Sequence, residues 1–277
     1  MPTPEQAPAW QPTTALDRVA RWLGRGAVAY RLPLLHLILA GLTVGWLLPH
    51  AEIFATRAGL LVAAAAVLPV ALAMLALRYT DRTSIEPMGL LLWTFLAGAS
   101  VAVLAAIVNT LFAWLPTAAL YLLVVGPVEE VAKLLAVYAV AYHSRHFDHA
   151  IDGVYYGVAA AAGFAAIENV AYALGSDAPW ALLAARTALS TPHHLLWGAI
   201  AGYYLGVAKF IPEHRETLVT KGLLMAALGH GAYDLLVRGP DPWGFLAAAA
   251  LGVFLAMLLL AKMRRFYTIL GPRLLGS

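Results

Sequence analysis

The chain is predicted to be all-α, a polytopic membrane protein built as a bundle of about eight transmembrane helices, and three observations predict it. Hydrophobic residues make up 62% of the 277 positions and charged residues only 12%, against roughly 45–50% and 25% in soluble domains. Mean hydropathy is +0.76, and the apolar residues gather into runs of about 20, one bilayer crossing each. The stretches between runs are short, so no soluble domain fits between spans and any chemistry has to take place in the membrane.

The elements follow in order. Residues Met1–Thr14 hold four prolines and little apolar periodicity, which predicts a disordered cytoplasmic tail. Ala15–Arg31 sets Leu16, Val19, Trp22 and Leu23 apart from Arg18, Arg21 and Arg25, the pattern of an interfacial amphipathic helix. It does not read as a cleavable signal, because its apolar stretch starts late and seven more follow. Spans are then expected at Leu32–Leu48, Ala58–Leu77, Met88–Val108, Thr117–Val140, Ala150–Leu174, Ala184–Ala208, Leu218–Val237 and Trp243–Ala261. Arg186, Pro192 and a histidine pair interrupt the sixth. The expected division is thus a tail over 1–31, a membrane domain over 32–262 and a basic tail over 263–277. Gly98, Gly126, Gly157, Gly163, Gly198, Gly202, Gly206 and Gly229 lie in or at the ends of spans, where small residues permit close helix contact.

Orientation follows from the 18 Lys and Arg residues. With the N-terminus cytoplasmic, fourteen of the 18 fall on the inner side and only Arg57 and Arg238 outside, Lys133 and Arg186 lying within spans. The positive-inside rule then puts both termini in the cytoplasm of, most simply, a bacterial plasma membrane. The net charge of +3 reflects this bias, so nucleic acid need not be invoked as a partner. With Cys 0, disulfides, thiolate ligands and cysteine nucleophiles are excluded.

Against this apolar background, several spans carry ionisable residues, each costing at least ~2.5–3.5 kcal/mol at mid-bilayer. Gly126-Pro127-Val128-Glu129-Glu130-Val131-Ala132-Lys133 puts Lys133 three and four residues from two carboxylates, within reach on a helix. One ammonium beside two acids leaves one carboxylate uncompensated, which a purely structural Glu–Lys pair would not need. Glu168, followed by Asn169, adds a third acid suited to bind a metal, accept from an imidazole or position a water. His193 and His194 point about 100° apart on a helix, so one of them faces the centre, and Pro192 opens the backbone ladder beside them. His230 and Asp234 share a face at i and i+4, where Asp can fix the imidazole tautomer or share its target. These side chains lie roughly 6 to 12 residues from the outer ends of their spans at ~1.5 Å per residue, in overlapping layers displaced outward. His146, Asp148, His149 and Asp152 look metal-like in composition, but they sit at the cytoplasmic mouth of a span, where Asp148 or Asp152 is expected to cap the helix.

In that order on successive spans, Glu129-Glu130-x-x-Lys133, Phe164-x-x-x-Glu168-Asn169, His194-Leu195-Leu196-Trp197-Gly198 and His230-x-x-x-Asp234 resemble the PrsW family of intramembrane proteases. Phe147-Asp148 and Ile151-Asp152-Gly153-x-x-Tyr156-Gly157 look like that family's entry into the helix bearing the glutamate. The resemblance covers roughly Ile85–Val237, and it extends distantly to the CAAX prenyl protease superfamily. There the second motif usually ends in His, and Asn is common where Asp234 stands, departures that argue against a prenylated substrate. The resemblance implies site-one cleavage of a membrane-anchored protein, typically an anti-sigma factor, on the extracytoplasmic side.

The expected function is therefore peptide-bond hydrolysis in or beside the bilayer by Glu129, Glu130, Glu168, His194, His230 and Asp234, with Lys133, Asn169 and His193 in support. Glu129 or Glu130 would be the general base, and His194 or His230 would polarise the carbonyl or hold a metal. Glu130, Glu168, His194 and His230 are the expected ligands of a zinc ion; a metal-free glutamate mechanism uses the same residues. The rival reading is a proton- or cation-coupled transporter, since such relays are typical of those proteins; the lack of an internal repeat counts against it.

Overall fold

A computed structural model describes residues 55–78, 86–239 and 241–274, with a few isolated positions between 41 and 52. The expected tail and amphipathic helix fall outside the described residues, as does the first span but for a few isolated positions. Within them the chain forms seven helical rods and no strand. We number them α1 (Arg57–Arg78), α2 (Met88–Leu111), α3, α4 (Asp152–Leu174), α5, α6 (Arg215–Arg238) and α7 (Pro242–Leu274). The rod α3 is continuous through Thr117–Ala119, a π-helical stretch Leu120–Val125 and Gly126–Val140. Likewise α5 runs through Pro179–Ala185, a π-helical stretch Arg186–Ser190 and Thr191–Phe210. The seven rods stand where the second to eighth spans were expected; α5 begins earlier, and α7 continues to Leu274, into the expected basic tail.

Arg57–Ala76, Met88–Leu111, Asp152–Leu174 and Pro242–Arg265 are long and apolar enough to cross a membrane by length and composition alone. The other three rods are those carrying Glu129, Glu130 and Lys133, the histidine pair, and His230 with Asp234.

The centre of the bundle is α4, which packs against α5, α2, α1 and α3. It reads Asp-Gly-Val-Tyr-Tyr-Gly-Val-Ala-Ala-Ala-Ala-Gly, and Ala159, Ala160, Ala161 and Ala162 have no exposed surface. Close approach here rests on reciprocal glycines. A Cβ on Gly153 or Gly157 would overlap the backbone of Gly202 or Gly198, and a Cβ on Gly202 or Gly198 would overlap the other side. Both i, i+4 glycine rows are thus used to bring two backbones together, the packing device expected where apolar lipid leaves helices no hydrophobic drive to associate. A second seam joins α3 to α6: a Cβ on Gly126 would strike the carbonyl of Ala227, and one on Gly231 the carbonyl of Tyr121. This seam brings Glu129 and Glu130 beside His230.

Candidate active site

Each of the two π-helical stretches ends just before a proline and a pair of polar residues. In α3, Leu120–Val125 precedes Gly126-Pro127 and then Glu129 and Glu130. In α5, Arg186–Ser190 precedes Thr191-Pro192 and then His193 and His194. Proline has no N–H and its ring crowds the carbonyl four residues back. A wider turn relieves that clash, and π turns recur at functional sites for this reason.

The charges of α3 are buried, Glu130 with no exposed surface and Lys133 with 2%. Asn109 of α2 donates its Nδ2–H to Glu129 Oε1 at 3.0 Å. Lys133 Nζ donates to Glu130 Oε1 and lies 3.3 Å from His194 Nδ1. His230 Nδ1 stands 2.7 Å from the same Glu130 oxygen, and that bond orients the ring as carboxylate–histidine pairs do. With its proton on Nδ1, the ring turns the Nε2 lone pair toward Glu129 Oε2 at 3.7 Å and Asp234 Oδ2 at 3.6 Å. Glu129 Oε2 is buried and has no hydrogen-bond partner.

The α4 and α5 side is held by Arg186. Its Nη2 donates to Glu168 Oε2 at 2.9 Å and its Nε to Asn169 Oδ1 at 2.7 Å, while the guanidinium lies 4.2 Å from the Tyr172 ring centre. Asn169 passes its own amide proton to Thr191 Oγ1 at 3.1 Å. Glu168 Oε2 is 2.6 Å from His194 Nε2, so His194 donates there and accepts from Lys133. The His194 and His230 rings meet edge to face with centres 5.0 Å apart.

All six residues expected to be catalytic therefore meet at one place. The two histidines of the pair separate as the helix angle requires. His193 turns away: its ring nitrogens face the carbonyls of Leu189 at 2.7 Å and Ala248 at 3.0 Å, which ties α5 to α7. Of the four expected ligands, Glu130 is engaged by Lys133 and His230, and Glu168 by Arg186 and His194. The three whose donor atoms come within reach of one ion are Glu129, His194 and His230.

Two residues that the motifs passed over belong to the site. Arg186 was visible only as an interruption of its span, and Asn109 stands one residue beyond the expected end of another. Away from the site, Glu86 is buried and accepts from the Tyr156 hydroxyl at the opposite end of α4; nothing in its local sequence marks it. The expected cap there needs correction. No side chain caps α4; Asp152 sits inside its first turn and reaches back to accept the His149 N–H at 2.6 Å, closing the preceding loop. Asp148, His149 and Asp152 offer a second group of ligand-type atoms, though Asp148 is exposed and His149 partly so.

A cavity of about 550 Å³ runs from the centre to the end of the bundle where α2, α4 and α6 finish. Glu129, Glu168, His194, Asp234 and Arg186 line it, together with Tyr121 and the exposed Arg238.

Fold and site together define a class, a helical membrane protein with a buried carboxylate–imidazole centre open to one face through a cavity. The model of the PrsW family of intramembrane metalloproteases matches residues 86–263, and the chain belongs to that family. It is similar to Protease PrsW of Geobacillus kaustophilus, 33% identical over 137 residues, 50% of this chain and 58% of that protein. Protease PrsW of Shouchella clausii is 31% identical over 154 residues, 54% of this chain and 68% of the relative. Protease PrsW of Clostridioides difficile is 27% identical over 212 residues, 73% and 89% of the two chains. The chain thus spans little more than half the length of the Geobacillus relative. No solved structure matches it.

The family description implies a metal, and the residues fit one. Lys133 and Arg186 balance two of the four carboxylates Glu129, Glu130, Glu168 and Asp234; a divalent cation would balance the other two. One carboxylate oxygen and two imidazole nitrogens with an open position suit zinc in a catalytic site. Glu129 Oε2 is unpartnered and His230 is oriented for ligation. His194 would exchange one of its two present bonds for the ion.

Proposed function

We propose that this protein is an intramembrane endopeptidase that cleaves a membrane-anchored protein substrate, of the site-one type that acts on anti-sigma factors, at the outer face of a bacterial plasma membrane. The observation that carries this is the unpartnered, buried Glu129 Oε2 facing His230 Nε2 at the inner end of an open cavity. A buried carboxylate oxygen left without a donor costs about 1–3 kcal/mol or more. Retaining it beside two imidazoles makes sense where water and a scissile bond occupy the space during a reaction.

Glu129, His194 and His230 would hold the ion, which supplies Lewis-acid polarisation of the scissile carbonyl and a more acidic water. The remaining work falls to the chain. The substrate enters as an extended segment, because a hydrolysable peptide bond has to leave its helix to present its carbonyl. With Glu129 on the ion, the carboxylate of Glu168, which also lines the cavity, takes a proton from the attacking water. The water oxygen bonds to the carbonyl carbon, and the proton passes to the leaving nitrogen as the C–N bond breaks. The Arg186 guanidinium, which also lines the cavity, would stabilise the negative charge that develops on the carbonyl oxygen, as preorganised donors do. Glu130 positions His230, and Lys133 positions Glu130.

Three of the loops on the cavity's side are short, around residues 112–116, 175–178 and 239–241, and the charge bias assigns them to the exterior. Both termini then lie in the cytoplasm.

Purified protein in vesicles, given a single-span reporter protein and analysed for zinc, tests the reading. The expected result is reporter cleavage and about one zinc per chain, both lost in Glu129→Gln. Ion flux abolished by the same variant, with no cleavage, would return the transporter reading.

A further inference from the structure

The carboxylates of the centre face a second space. Besides the wide cavity, a cleft of about 230 Å³ lies between α2 and α4, and Glu129 from α3 closes its inner end. Its walls are Ala102, Val103 and Ala106 on one face of α2, and Phe164, Ile167 and Ala171 on the facing side of α4. Asn109, Glu129, Glu168 and Tyr172 border both spaces, so the acids stand on the partition between a polar entry and an apolar recess.

Resting on the protease reading, we infer that this cleft is a specificity subsite, which takes one medium-sized apolar side chain next to the scissile bond. An extended chain projects alternate side chains to opposite sides. A substrate lying along the wide cavity with its carbonyl at Glu129 and His194 therefore sends a side chain from one flanking residue through the partition. Size sets the limit: an apolar cavity of about 150 Å³ holds a benzene ring, so this cleft admits leucine, methionine or phenylalanine. Chemistry sets the rest. Away from the partition the walls are aliphatic and aromatic, and an acidic side chain would meet Glu129 and Glu168 at the inner end. The three alanines are what keep the recess open. Ala106 is exposed at its edge and Ala171 half-buried, so each accepts a larger residue without disturbing the core.

The test uses single-span reporters reconstituted with the full-length protein in phosphatidylethanolamine–phosphatidylglycerol vesicles. The cleavable segment carries Ala, Leu, Phe or Asp in turn at each position around the cut. At one flanking position, wild-type protein should cleave the Leu and Phe reporters at least about tenfold faster than the Asp reporter, within the range one pocket supplies. Ala106→Leu combined with Ala171→Leu should then lower the Phe-to-Ala cleavage ratio about tenfold or more. Ile107→Ala, on the exposed side of α2, should leave that ratio unchanged. If the double variant does not fold, Ala106→Leu alone decides the matter. An unchanged ratio in the filled variants, or equal slowing of every reporter as expected if a lipid chain occupies the cleft, overturns the subsite while the protease reading stands. Wild type and Glu129→Gln alike in cleaving no reporter overturns the protease reading and the subsite with it.

Discussion

Two regions of this chain have nearly the same chemical inventory and opposite settings. The centre between α3, α4, α5 and α6 joins carboxylates and histidines, and so does the loop leading into α4, where Asp148, His149 and Asp152 could also reach one ion. At the loop, Asp148 is exposed and His149 partly so, and the buried Asp152 accepts from a backbone N–H three residues before it. At the centre every partner comes from another helix or another turn, two permanent cations fix particular oxygens, and of the two carboxylate oxygens left over, Glu129 Oε2 and Glu130 Oε2, the first belongs to a residue that lines the cavity. Composition is shared, and so are unsatisfied buried oxygens, Asp152 Oδ1 at the loop and Glu129 Oε2 at the centre; salt bridges to a buried lysine and to an arginine of another helix belong to the centre. The comparison teaches that an unpaired buried oxygen is no mark by itself; acids and imidazoles mark a candidate reaction centre when several helices and two cations converge to hold them around a cavity.

Breaking the comparison at its strongest point gives the largest effect. Glu129→Gln keeps the shape and the bond from Asn109 while removing the free carboxylate, and reporter cleavage should fall by about 10²–10⁴-fold with the melting temperature little changed. Normal cleavage by this variant would sink the assignment. His230→Ala should lose activity to a similar degree, and bound zinc as well, measured by elemental analysis; activity lost with full zinc retention would remove His230 from the ligand set.

Lys133→Met probes stability rather than chemistry. Removing one partner of a buried ion pair costs about 3–5 kcal/mol, so the variant should unfold at markedly lower temperature in detergent. A Lys133→Met variant as stable as wild type would show that Glu130 does not depend on the ammonium. Arg186→Lys should have an intermediate effect, since a lysine cannot bridge Glu168 and Asn169 with a planar fork. We expect about a tenfold fall in cleavage rate with folding intact, read by kinetics and thermal melting together.

The smallest effect sharpens the contrast from the other side. His149→Ala and Asp148→Asn should change cleavage by less than about twofold, as substitutions at exposed positions generally do. A loss confined to these variants would move the reaction to the loop. Topology offers a parallel check: the native chain has Cys 0, so a cysteine introduced at Trp114 should react with an impermeant reagent from outside, and one at His214 should not.

How much was legible in the sequence depends on the kind of question. The helical rods were, because runs of some twenty apolar residues report their own length. The polar residues that meet at the candidate site were legible as a set, because glutamates, lysine and histidines deep in such runs are costly enough to stand out one by one. Neither Asn109 nor Arg186 stood out in that way. Asn109 lies where a span ends and polar residues cost little, and Arg186 looked like a flaw in its helix until its bonds to Glu168 and Asn169 gave it a purpose. The apolar cleft left no signal, since Ala102, Ala106 and Ala171 resemble any other small residue in a membrane helix.

The sequence by itself determined the class, the rods and which residue types had to be satisfied below the surface, since hydropathy and helical spacing are properties of neighbours along the chain. Only the tertiary structure decided that His194 rather than His193 faces the centre, that Glu130 is tied to Lys133 and His230 while Glu129 faces the cavity, and that α2 and α4 part to leave a recess. Those outcomes depend on how far each helix is rotated and how closely it approaches the next. Here glycine seams such as Gly126 on Ala227 and π turns ahead of Pro127 and Pro192 set both, through contacts between residues far apart along the chain.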